Sequence, residues 1–309
     1  MVRKLFLLLA LVSTHSLQLF AQQGWHSQIP PTLKHLYSVE FLDRMQGFAC
    51  GQAAVIKTTD GGVSWSELSI GTQKKLYAIS VVNKDCIMSV GRDGMILRSV
   101  NGGTNWEQQV GARVIPLKAV SFTDSLQGWA AGWWGTIIHT IDGGKNWTKE
   151  PLTTDIYLNQ LKAIDSKTAL AIGEKGLIVR TTNGGKNWET LMSETADSLY
   201  GICFAGKNIV YAVGDHGTIV RSNDRGTKWE CLESGTKQDL TGVSFCDELH
   251  GTVVGENGLI LRTDDGGKHW VQQKPPVDTH LTAVDQIDPK TITIVGVNGT
   301  ILRTTTGGF

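Results

Sequence analysis

The chain has 309 residues, with 29 basic and 29 acidic side chains, 40% hydrophobic and 19% charged. That balance excludes wholesale disorder and lacks the Lys/Arg excess of a general nucleic-acid binder. Glycine is the anomaly: 36 residues, against about 7% in ordinary proteins, beside ten tryptophans. Many turns and many tryptophans point to repetition.

In chain order, Arg3 and Lys4 precede a continuous apolar run from Leu5 to Val12, and Leu19 and Ala21 stand at −3 and −1 of a cleavage site before Gln22. Residues 1–21 therefore read as an export signal, since the apolar run is too short to span a membrane. The mature protein is expected to be periplasmic or extracellular. After the signal, Gly24-Trp25-His26-Ser27-Gln28 resembles the start of a later strand, Asn105-Trp106-Glu107-Gln108-Gln109.

From residue 36 onward one unit recurs. Trp65, Trp106, Trp147, Trp188, Trp229 and Trp270 are each 41 residues apart. Each closes the same phrase: TTDGGVSW, SVNGGTNW, TIDGGKNW, TTNGGKNW, SNDRGTKW and TDDGGKHW, with a partial TTTGG before Phe309. Leu76, Leu117, Leu199, Leu240 and Leu281 keep the step, as do Gly91, Gly132, Gly173, Gly214, Gly255 and Gly296. Leu36 and Gly51 give a first copy one residue shorter. In the fourth copy Leu161-Lys162-Ala163-Ile164 matches Leu117-Lys118-Ala119-Val120 better than Leu158 does, so a three-residue shift is expected there. Each unit reads as four short Val/Ile-rich strands bounded by Gly, Asn and Asp, and nothing in it is long or periodic enough for a helix.

Four strands in about 41 residues is a propeller blade. The expected fold is all-β: one seven-bladed β-propeller over residues 22–309, with four-stranded blades and no second domain. The seventh copy lacks its fourth strand, and the Trp25 segment is expected to supply it, closing the ring without an open sheet edge.

The closing phrase is an Asp-box. Asp60, Asn101, Asp142, Asn183, Asp224 and Asp265 are its acceptors, paired with Trp65, Trp106, Trp147, Trp188, Trp229 and Trp270; Thr306 is the acceptor of the degenerate seventh copy. Asp and Asn interchange here, which suits a turn acceptor and not a catalytic acid. These residues are structural.

Repeated G-x-x-G-x-I-x-R-[ST]-x-[DN]-G-G-x-x-W phrases behind an export signal, as in residues 173–185 and 255–267, resemble the photosystem II stability/assembly factor family. The first copy departs by lacking the second Gly, and the third has His139 for Arg. The resemblance implies a non-enzymatic propeller that binds a protein client, such as a membrane-complex subunit, during assembly.

Two constellations are candidates for binding. Trp133 and Trp134 fill the two variable positions of one Gly-x-x-Gly turn, on the face carrying the second-to-third strand connections. Acids at the equivalent turns, Asp93, Glu174, Asp215 and Glu256, either ring a central cleft or are ordinary turn residues. The second constellation is a basic ring before each box: Lys57, Arg98, His139, Arg180, Arg221, Arg262 and Arg303. It is either a patch for acidic or C-terminal client segments, as the family implies, or a set of internal ties. Five cysteines (Cys50, Cys86, Cys203, Cys231 and Cys246) show no metal spacing, and neither metal nor cofactor is expected.

A secreted sialidase- or glucanase-like glycosidase, or a non-catalytic carbohydrate binder, is the rival reading. Against catalysis, every Trp interval is 41, leaving no room for a long site-bearing insertion. Arg113-Val114-Ile115-Pro116 approaches a sialidase arginine motif only poorly, and no Tyr among the equivalent Tyr37, Tyr77 and Tyr200 is singled out. A monomer is expected.

Overall fold

The computed structural model describes residues 24–109, 114–152 and 154–308. The expected export segment, 1–21, and Arg113 lie outside the described residues. Seven four-stranded antiparallel sheets form, each in sequence order except one. In that sheet Leu281–Gln286, Ile292–Gly296 and Ile301–Thr304 are completed by His26–Ser27 from the other end of the chain. His26 pairs with Arg303 and Ser27 with Leu302. The N-terminal strand thus closes blade 7, as the tryptophan spacing predicts. Among the described residues no helix is long and apolar enough to cross a membrane.

The core is not one cluster but seven, one between each pair of neighbouring blades. Strand alternation explains this. In Gly128–Gly132, Trp129 and Ala131 face blade 4, whereas Ala130 faces blade 2. A second strand packed on both faces must be mainly apolar, so these strands are buried almost throughout in every blade, with Ile209 at the start of Ile209–Gly214 partly covered. The cluster joining Val295 and Ile301 to Leu36, Phe41 and Trp65 seals blade 7 against blade 1.

The first strands line the central channel and tie blade to blade. The Oγ1 of Thr241 donates to Leu281 O at 2.6 Å, that of Thr282 to Leu36 O at 2.7 Å, and Asn159 Nδ2 to Leu199 O at 3.0 Å. Lower in the channel, Asp285 Oδ2 accepts from Phe41 N at 2.7 Å and Ser244 Oγ from Gln286 N at 3.0 Å.

One expectation fails. The fourth blade carries no three-residue shift: Leu158 pairs with Gly173, as Leu117 pairs with Gly132, with the same bulge one residue on. Leu158 takes the fully buried inner position, and Asn159, Gln160 and Lys162 face the channel. Channel-facing positions tolerate polar residues, so the local match of Leu161-Lys162-Ala163 misleads.

Candidate functional site

The Asp-boxes behave as turn locks. In blade 3, Thr140 Oγ1 donates to Asp142 Oδ1 at 2.9 Å and accepts from Gly144 N at 2.9 Å. Asp142 Oδ1 also accepts from Asn146 N at 2.9 Å, and Trp147 Nε1 donates to Gly144 O at 3.1 Å. Hydrogen bonds from the Asn146 backbone and side chain hold the Asp142 carboxyl at about 2. Those from Ser64 do the same for Asp60. Asn101 and Asn183 perform the same acceptance from Asn105 N and Asn187 N. Asp224 and Asp265 complete the set, accepting from Lys228 N and His269 N.

The basic ring is engaged internally. Lys57 Nζ donates to Gly102 O at 2.8 Å, Arg98 Nε to Gly143 O at 2.7 Å, Arg180 Nη1 to Arg225 O at 3.2 Å and Arg221 Nη1 to Gly266 O at 3.0 Å. Each reaches 45 residues on, to the box turn of the next blade. Glu189 and Glu230 hold Arg180 and Arg221 from the side. Arg262 and Arg303 are buried, bonded to Thr252 and Thr293 and to the carbonyls of Pro289 and Arg44. His139 is too short for this reach; it stacks on Trp129 at 4.2 Å, with Glu150 3.5 Å away.

The opposite face holds the channel mouth, opening into a cavity of about 720 Å³. The second residues of the first strands, including Tyr37, Tyr77, Lys118 and Tyr200, line its upper wall. Of the four turn acids expected around a cleft, Glu256 alone lines it, joined by Asp239. Deeper down, burial raises the Glu40 carboxyl to about 7, with Lys162 opposing and Asp285 adding to the shift. Burial raises Asp285 as well.

Beside the mouth is the tryptophan turn. A Cβ on Gly132 would lie 2.1 Å from Pro116 O, so only glycine admits the close approach that sets the turn against the preceding loop. Trp133 then stacks on Tyr157 of blade 4, centroids 5.0 Å apart and planes 8° off parallel. Trp134 stands edge-on to both rings at 6.0 Å and is 51% exposed. Its φ is +52°. Equivalent turn positions in the other blades share that left-handed conformation with Ala53, Asp93, Lys175, His216, Asn257 and Asn298. A bulky aromatic is disfavoured there, where Asn or Asp fits best.

Tyr157 escaped sequence reasoning. It immediately precedes Leu158, and the supposed register shift removed it from the ring of residues flanking the mouth. Lys118 was legible as the equivalent of Tyr37 and Tyr77, but its contact with a neighbouring blade was not.

Fold and site together define a closed seven-bladed Asp-box propeller with internally clamped box turns and an aromatic, charged mouth on the other face. The chain belongs to the family described as photosynthesis system II assembly factor YCF48, which it matches over residues 17–116, 64–206 and 222–309. No curated protein matches it in sequence. A solved structure of YCF48 bound to D1 peptide is 21% identical, with a TM-score of 0.79, covering 93% of this chain and 98% of that one. YCF48 from Cyanidioschyzon merolae is 18% identical, with a TM-score of 0.75, covering 91% and 98%. A GH74 xyloglucanase from Xanthomonas campestris, 12% identical with a TM-score of 0.72, covers 92% of this chain and 53% of its own. Binding proteins and glycosidases thus share the fold, and the fold alone assigns no chemistry.

Proposed function

We propose that this protein is an exported, non-enzymatic scaffold that acts as a monomer and holds a protein client during assembly of an envelope or membrane complex. Family membership supports the reading, as does the peptide bound by a relative of the same fold. The observation that carries it is Trp134, a half-exposed indole kept in a left-handed turn. Exposure and backbone strain both work against a tryptophan at that position, and such outliers persist where function requires them. Trp134 and the partly covered Trp133 are then the client's anchor. The arginines Arg98, Arg180, Arg221, Arg262 and Arg303 serve mainly to fix the blades, because each already donates to a backbone carbonyl.

The test is capture of clients from an envelope extract by the mature protein and by Trp134→Asn. Asparagine relieves about 1 kcal/mol of left-handed strain, against a loss of about 1 kcal/mol of ring contact. The variant should therefore melt within a few degrees of the parent and lose the client. Capture of the same client at undiminished yield would refute the assignment, as would turnover of a sialoside or glucan by the purified protein.

A further inference from the structure

Lys118 lines the channel mouth, and Lys75 lies two residues before Tyr77, the ring that Lys118 covers. Lys118 is the second residue of the first strand of blade 3, and Lys75 immediately precedes that of blade 2. Burial and the Lys75 charge together push the Lys118 pKa down, so the two amines feel each other. Their basic neighbours have carboxylate partners: Lys34 pairs with Glu67 at 2.7 Å, and Lys74 and Arg92 share Asp93 at 3.4 and 3.7 Å. Among the described residues neither Lys75 nor Lys118 has such a carboxylate. Lys118 Nζ lies instead over the Tyr77 ring, 4.2 Å from its centroid. Tyr37 continues the row at 5.9 Å from Tyr77. Trp133, whose backbone N–H donates to Pro116 O two residues before Lys118, continues it the other way through Tyr157 to Trp134. Across the mouth the sign reverses, with Asp239 and Glu256 on the wall.

We propose that this strip, from Tyr37 to Trp134, is the docking surface for an acidic peptide segment of a partner protein, with a carboxylate seated on Lys75 and Lys118 and an apolar side chain against Trp134. The proposal rests on the protein-binding reading above and adds the partner's chemistry. Two half-buried like charges repel each other, and an incoming carboxylate relieves both at once. Partial desolvation strengthens that contact over an open surface pair, and the Tyr77 ring keeps Lys118 in place. The acids on the far rim repel an acidic chain, which confines it to the blade 1–4 side and sets its direction.

The test uses three fluorescein-labelled nonapeptides in which Leu and Phe alternate with Glu, Gln or Lys, titrated by anisotropy against the mature protein. The Glu peptide is expected to bind about tenfold tighter than the Gln peptide, a preference that shrinks with added salt. The Lys75→Gln, Lys118→Gln double variant should remove the preference, Lys118→Arg should retain it, and Trp134→Asn should weaken all three peptides. Melting curves confirm that each variant is folded. Equal binding of the Glu and Gln peptides would overturn the proposal. So would a preference that survives the double variant but is lost in Arg98→Ala, which would leave the protein-binding reading standing. Binding of a xyloglucan oligosaccharide, weakened by Trp134→Asn with no peptide bound, would overturn both.

Discussion

At the scale of single residues, the box acceptors show how one position can hold either Asp or Asn. The site needs an oxygen facing backbone N–H groups, and the charge is incidental. The charge nevertheless has a pH signature. Asp60 and Asp142 titrate at about 2 in the folded protein, below the ordinary 3.8. A carboxylate with a depressed folded pKa contributes stability above its unfolded pKa and loses it as pH falls towards the folded value. Stability should therefore drop between about pH 4 and pH 2 as these groups are protonated. Asp142→Asn should match the parent closely in melting temperature at pH 7 and lose less of it at pH 2.5. Asp142→Ala should cost about 1 kcal/mol at pH 7, because the turn loses its acceptor, and less at pH 2.5, where the parent has itself lost part of the carboxylate's contribution. An Asn variant as acid-labile as the parent would show that this carboxylate is not part of the transition.

At the scale of elements, the basic ring converts a repeated sequence feature into a set of clips between blades. Arg98 is the cleanest case, since Gly143 O is its principal partner. Arg98→Ala should lower stability by about 1–2 kcal/mol. Arg221→Ala should cost less, because the Tyr211 hydroxyl also donates to Gly266 O at 2.8 Å and keeps that carbonyl satisfied. Chemical denaturation of the two variants tests the order, and equal losses would show that the shared acceptor does not matter. Because the acceptors are carbonyls, the Arg98 effect should change little with salt. The arginine step is visible in the sequence; its partners are not, since those of Arg98, Arg180 and Arg221 lie 45 residues on, in the next blade.

At the scale of the whole molecule, the ring depends on its seam. Trp25 is 7% exposed within the cluster of Leu281, Val284 and Leu302, and its Nε1 donates to Gln273 Oε1 at 2.7 Å. Gln28 extends the closure by donating its backbone N–H to Ile301 O at 2.9 Å and accepting from Trp65 Nε1 at 2.9 Å. Trp25→Ala should cost about 3–5 kcal/mol. Deletion of residues 22–31 should go further, exposing the edge of Ile301–Thr304 and favouring association between molecules. Denaturant melts and light scattering check both, and a deletion that stays monomeric with an unchanged midpoint would contradict the seam.

The sequence by itself determined the blade count, the closure by Trp25 and the structural role of the boxes, because these depend on spacing within one unit and on local turn chemistry. It misplaced the fourth blade, where channel-facing positions carry polar residues and relax the apolar pattern that marks register. It also left the arginines and the tryptophan turn undecided. Only the tertiary structure settled where those groups lie, since their neighbours belong to adjacent blades: the box-turn carbonyls that occupy the arginines, Tyr157 beneath Trp133, and Tyr77 beneath Lys118. Contacts between sheets follow from how the ring curves, and a repeat spacing carries no record of which side chains that curvature brings together.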